Sequence, residues 1–189
     1  MSTRGFITFV IDGKEKTTYN HSDSYPSWLG VRMLKWLRET WTEIAPGVRA
    51  LRVVDESTPP TAEDIQRLAE WSWGARQHGG GADLRPGQQW YDLLHETQGD
   101  PAAILAAGVI EDGSTFPQDS LFAEWGYVVD LDAGNFEVYE GFQKSPHRKG
   151  RFARRRGLTD GYAPVALRAS WPLARLPQER AFLAALGEE

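Results

Sequence analysis

Cysteine is absent from the 189-residue chain, which excludes disulfides, thiolate zinc sites and cysteine nucleophiles and fits a reducing cytosol. Long apolar runs are missing too. No stretch approaches the roughly 18 residues needed to cross a bilayer, and Met1 to Val10 has neither the apolar core nor the small-residue cleavage site of a secretory signal. A cytoplasmic protein without membrane contact is the expectation. The chain also lacks the glycine-rich fingerprints that cradle dinucleotides or nucleoside triphosphates, so no cofactor is expected.

Aromatic residues are plentiful, with eight Trp, eight Phe and six Tyr. Large rings supply core area, and Trp and Tyr also suit pockets and interfaces because one end tolerates water. The net charge of −5 hides a segregation: seven of the 21 Lys and Arg fall between Lys144 and Arg156, with no acidic residue among them. The chain is an acidic body carrying one basic segment.

The pattern along the chain predicts an α+β fold in one domain, 1–189, with a basic loop over 144–157. Phe6 to Ile11 alternates poorly but is β-branched and aromatic, Asp12-Gly13 is a two-residue hairpin turn, and Glu15 to Tyr19 returns. Leu34, Leu37, Trp41 and Ile44 recur at helical spacing, which predicts a helix from Trp28 to Ile44 ended by Pro46-Gly47. Ala50 to Val54 reads as a short strand, and Thr61 caps a helix with Glu63 and Asp64 in its first turn. Gly74 to Gly87 reads as a loop, Gln88 to Thr97 as a helix, and Asp100-Pro101 opens another helix that Gly108 stops. A second hairpin turns at Asp132-Ala-Gly-Asn, Ala163 to Ser170 is a further strand, and Pro177 to Leu186 is a terminal helix burying Phe182, Leu183 and Leu186. The expected architecture is a mainly antiparallel sheet that joins the two hairpins, with helices packed on it.

Between the first hairpin and the first long helix lies Tyr19-Asn-His-Ser-Asp-Ser-Tyr-Pro26, in which all but Pro26 can hydrogen-bond through a side chain. A strand-to-helix loop is where a scaffold holds binding residues. His21 suits acid or base work near neutral pH, with Asp23 to fix its tautomer, and the helix that follows favours an anion at its N-terminus. The same letters also spell a self-satisfied turn. A metal at His21-x-Asp23 is not expected, because His78, His95 and His147 lie far off in sequence. Thr3-Arg4-Gly5 entering a strand, the Asp-Gly turn, Tyr19-x-His21-x-Asp23-x-Tyr25-Pro26 and Gly30 together resemble a group of small uncharacterised proteins of phages and actinobacteria, over the first thirty or so residues. That resemblance implies positions of interest and a phage or phage-conflict setting, with no activity attached.

The opening hairpin is similar to that of N-terminal nucleophile hydrolases, and Ser2 would become terminal on loss of Met1. The chain carries Met1, so only the layering is kept as an expectation. His78-Gly-Gly-Gly81 is similar to an esterase oxyanion loop, but no Gly-x-Ser-x-Gly turn accompanies it, and a loop is the better reading. The basic run contains Phe152 and His147 among its charges, a mixture suited to phosphates and bases, to a partner protein, or to solvent alone. The leading expectation is a ligand-binding or ligand-processing domain, hydrolytic if catalytic. In it His21 and Asp23 are the catalytic pair, Asn20 and Tyr25 hydrogen-bond a small anionic or nucleotide-like ligand, and Arg4, Arg154, Arg155 and Arg156 contact its charge. The alternative is a non-catalytic module that binds nucleic acid or protein through exposed aromatics, with Trp28, Trp73 and Trp90 as candidates.

Overall fold

Asp12 and Gly13 adopt φ of 52° and 70°, the left-handed pair that a two-residue hairpin turn requires, and they join β1 (Gly5–Ile11) to β2 (Lys14–Asn20). The structure is a computed structural model that describes residues 2–73 and 89–188. The loop expected over Gly74 to Gly87, with His78-Gly-Gly-Gly81, and the residue Gln88 lie outside the described residues.

The second hairpin pairs β5 (Trp125–Asp130) with β6 (Asn135–Glu140), and β7 (Ala166–Pro172) follows. The five strands run in the order β2-β1-β5-β6-β7. Every pairing is antiparallel except that of β1 with β5, where Gly5 faces Trp125 and Val10 faces Asp130 in parallel. The hairpins are therefore joined side by side, with their turns at one end. There Asp132 accepts hydrogen bonds from the backbone N–H of Asp12 and Gly13 at 2.9 and 2.8 Å. The poor alternation of Phe6 to Ile11 now has a cause: β1 is central, and all seven of its residues are buried, so both faces are apolar.

Helices cover one face. Ile7, Phe9, Tyr127 and Phe136 pack under Leu34 and Leu37 of α1 (Val31–Thr40) and Phe182 of α6 (Glu179–Leu186). Gly126 lies beneath Phe6, where a Cβ would come within 2.0 Å of the ring. Loops cover the other face: Phe6, Val10, Val128 and Tyr139 meet Phe152 and Val165. The basic segment thus contributes a fully buried ring, Phe152, to the core. A third cluster, with Leu68, Trp90, Leu93 and Val109, surrounds the parallel pair of β3 (Arg52–Val54) and β4 (Val109–Glu111).

Several expectations shift. The helix after the polar box begins as a π turn over Pro26–Gly30 and ends at Thr40, short of Ile44. Pro46 and Gly47 sit inside a second helix, α2 (Ala45–Ala50), because Pro is pre-organised for a first turn. Ala50 therefore belongs to that helix, and the strand starts at Arg52. The Gln88 to Thr97 helix is broken into α4 (Trp90–Leu93) and a 3-10 turn, His95–Thr97. The Ala163 strand begins three residues later, and Leu183 is only partly buried. The predicted helix behind Thr61 forms α3 (Ala62–Leu68) with a full capping box, and Asp100 caps α5 (Pro101–Ala107), which stops at left-handed Gly108. Trp90 is 2% exposed and donates its indole N–H to the Thr58 carbonyl at 2.6 Å, so it is a core residue and no docking group.

Arg151 ties the basic segment to the sheet. It donates two hydrogen bonds to Glu137 at 2.9 Å each and one to Asp130 at 2.5 Å, and lies 3.7 Å from Glu15. Burial alone would lower its pKa; the bonds to Glu137 and Asp130 outweigh that and raise it. Arg155 also pairs with Glu15. Arg151→Ala would leave three carboxylates crowded on half-buried ground, so a loss of roughly 3–5 kcal/mol is expected, against less than about 0.5 kcal/mol for Arg154→Ala on the exposed side. Urea unfolding of the two variants measures the contrast.

Asp64 gives a pH-dependent counterpart. Burial would raise its pKa, but hydrogen bonds from Thr61 and the pairing with Arg52 lower it. Its stabilisation is therefore complete above the unfolded Asp value of about 3.9 and is lost as pH falls below it. Asp64→Asn should flatten that acid limb of a thermal-melting profile while lowering stability by about 1 kcal/mol at neutral pH.

Candidate functional site

The polar box occupies the end of the sheet opposite the hairpin turns, where Asn20 of β2 faces Gly5 of β1. Much of it is frame. Asn20 is 3% exposed, and its amide donates to the Ser22 carbonyl at 2.6 Å and to Ser24 Oγ at 2.7 Å. The Ser24 N–H bonds the Thr3 carbonyl at 3.0 Å, and buried Tyr127 donates its hydroxyl to the Ser24 carbonyl at 2.8 Å. A Cβ on Gly5 would come within 2.6 Å of that of Ser24, so the Thr3-Arg4-Gly5 segment and the box are one packed unit. Asp23 takes up φ of 55°, a turn conformation that Asp tolerates. Tyr25 serves through its carbonyl, which accepts from the Trp28 N–H at 3.1 Å. The anion at this helix start is the protein's own: the Ser27 N–H donates to Glu188 at 2.9 Å.

His21 is exposed and fixed at three points. Its carbonyl accepts from Ser2 Oγ at 2.5 Å, its N–H donates to Gln98 Oε1 at 2.8 Å, and its Nδ1 lies 3.2 Å from Tyr19 Oη. Burial pushes the Tyr19 phenol up, and the Arg4 guanidinium opposes the rise. Where the phenol donates to Nδ1, neutral His21 carries its proton on Nε2. Nε2 hydrogen-bonds no described residue, and no hydrogen bond or ion pair joins Asp23 to the ring. The side chain within hydrogen-bonding distance of the His21 ring is that of Tyr19, in place of the expected Asp23.

The Gln98 contact brings a distant turn alongside the box and creates a cleft of about 380 Å³. His21, Asp23, Trp28 and Arg32 line it from the box and the helix that follows; Trp73, His95, Glu96 and Asp100 line it from the distant segments. Trp28 and Trp73 are 56% and 63% exposed. The Trp73 ring lies 3.9 Å from that of His95, centroid to centroid, and His21 and His95 both set an edge or face against Tyr91. The Nδ1 of His95 is buried without a hydrogen bond, 3.7 Å from Glu96. Arg32 is held by the Gly99 carbonyl at 3.0 Å. Nothing in local sequence pattern points to His95 or Gln98, since they join the box only through tertiary folding.

The expected anion contacts are not in this cleft. Arg4 lies over the Phe122 ring at 5.4 Å, Arg155 is paired with Glu15, and Arg154 and Arg156 are exposed on the basic segment, no residue of which lines the cleft. Tyr25 is absent from its lining as well. Three carboxylates there outnumber Arg32, so the cleft itself does not favour anions. Among the described residues no group of acidic and imidazole side chains is placed to hold a metal, and no described helix is long and apolar enough to cross a membrane.

If Asn20 is frame and His21 is not, their replacements separate. Asn20→Ala leaves buried Ser24 without its partner and should cost roughly 1–3 kcal/mol, whereas His21→Ala should change stability by less than about 0.5 kcal/mol; differential scanning calorimetry reads both. No family model, curated protein or solved structure matches this chain.

Proposed function

We propose that the cleft between the polar box and the His95 turn binds, and with His21 as acid or base processes, a small uncharged ring compound bearing hydroxyl groups, of the nucleoside or saccharide kind. The observation that carries this reading is the presence of two largely exposed indoles, Trp28 and Trp73, in one cleft with His21 and His95. Exposed tryptophans facing a concave polar surface present flat faces to a ring, while carboxylates and imidazoles bond its hydroxyls. The excess of Asp23, Glu96 and Asp100 over Arg32 disfavours a phosphorylated ligand here, which replaces the expectation of a small anion bound at this site.

In processing, His21 is the group suited to proton transfer. Tyr19 holds Nδ1, so Nε2 is the end that exchanges a proton with the ligand or with a water beside it. Asp23, free of hydrogen bonds to other described side chains, is available to a ligand hydroxyl.

Intrinsic tryptophan fluorescence tests the reading. A panel of nucleosides, mono- and oligosaccharides and their phosphates should include an uncharged member that quenches the wild-type protein saturably, with its phosphate weaker. Trp28→Ala should weaken that binding about tenfold or more. His21→Gln should leave it within a few-fold while lowering any turnover by roughly 10²–10⁴. Absence of saturable quenching by both classes, or equal binding by Trp28→Ala, overturns the proposal.

A further inference from the structure

The basic segment divides into two populations. Arg151 and Arg155 are consumed by Glu15, Asp130 and Glu137. The other five cations, Lys144, Arg148, Lys149, Arg154 and Arg156, are exposed and have no carboxylate partner among the described residues. Two of them, Arg148 and Arg154, line an open hollow of about 830 Å³ together with His147 and Arg151. In a chain of net charge −5, solvation alone would favour spreading such charges or pairing them, as the two structural arginines are paired.

Phe142 stands at the start of this segment with two unusual properties. It is 53% exposed, and its φ is 55°. A bulky side chain in the left-handed region is strained, and here the strain secures no burial of the ring. The backbone is held there on both sides: the Phe142 N–H bonds the Ser120 carbonyl at 2.6 Å, the Gln143 N–H bonds Ser120 Oγ at 3.1 Å, and the Gly141 N–H bonds the Glu124 carbonyl at 2.8 Å. The segment then runs beside the entry to β7, tied through Gln143 to Ala163 and through His147 to Pro164. An exposed ring is thus held by backbone hydrogen bonds at the start of the segment that carries the five exposed cations.

We infer that this segment binds single-stranded nucleic acid, with its exposed cations, Arg148 and Arg154 foremost, on phosphates and Phe142 stacked against an unpaired base. Unpaired guanidinium and ammonium groups supply the backbone attraction. A rigid exposed ring adds what a polyanion alone would not need, and it is useful only where bases are unstacked, which selects single strands over duplex. The surface is separate from the box cleft, and neither proposal depends on the other.

Fluorescence anisotropy with a labelled oligothymidylate tests it, using the full chain. Binding is expected at low salt, with log K falling linearly against log salt at a slope of roughly −2 to −4, about 0.7 per phosphate contact. Arg148→Ala and Arg154→Ala should each weaken binding and reduce the slope. Phe142→Ala should weaken it about fivefold or more with the slope unchanged, and Phe142→Tyr should restore it. Duplex of the same length and heparin serve as competitors. No binding at low salt overturns the inference; so does equal affinity for duplex or heparin together with wild-type binding by Phe142→Ala, which would leave only general attraction of polyanions. Trp28→Ala, in the other site, should bind the oligonucleotide as wild type does.

Discussion

The guanidinium of Arg151 is the constraint on which one whole layer of this protein depends. Glu15, Asp130 and Glu137 come from three different strands and meet on the sheet face opposite α1 and α6. Three carboxylates on that face would repel one another and resist burial. One planar, permanently charged fork bonds two of them and neighbours the third, and in doing so draws Phe152 over Phe6 and Tyr139. A buried ion network of this kind does not surpass an apolar core in energy. It settles where the segment lies, because the arginine has full partners at only one place. Tyr139 completes the arrangement, accepting from the Arg151 N–H at 3.1 Å and donating to Glu137 at 2.8 Å.

This clasp also reconciles two readings of the basic run that the letters alone leave opposed. Neutralising the acidic body and presenting charge to a partner are both things the segment can do, with different residues. Arg151 and Arg155 do the first, leaving the remaining cations on the outside. Spacing along the chain distinguishes none of the seven, since which arginine turns inward is decided by carboxylates more than a hundred residues away in the case of Glu15.

Local chemistry made much of the fold legible. The Asp12-Gly13 turn, the Thr61 capping box and the Asp100-Pro101 helix start follow from side-chain and dihedral preferences that act within four residues, and they form where the sequence places them. Errors arise where tertiary contacts override periodicity. Trp41 and Ile44 continue a helical spacing, yet the helix closes at Thr40 and a new one starts at Ala45, while Lys16 donates to the carbonyls of Val48, Arg49 and Leu51 at that helix's end. The site was half legible. The box is a polar strand-to-helix junction as its residues imply, but Asn20 and Ser24 are consumed in holding it, and the opposite wall comes from Trp73 and His95. No periodicity announces a meeting between residues 21 and 98 made by one glutamine side chain.

The parallel join of β1 to β5 has a consequence for how the chain reaches this state. β1 is apolar on both faces, yet its second strand partner lies about 120 residues downstream, as the Asp12–Asp132 bond also shows. While the chain is being synthesised, the first hairpin therefore has one unpaired hydrophobic edge and nothing yet made to cover it. Such an edge is open to pairing with a second nascent chain, and closing so long a loop is slow. The order of strands in the finished sheet thus leaves the earliest-made hairpin waiting the longest stretch of chain for its partner, and the yield of folded protein should depend on how long β1 is kept from its own kind.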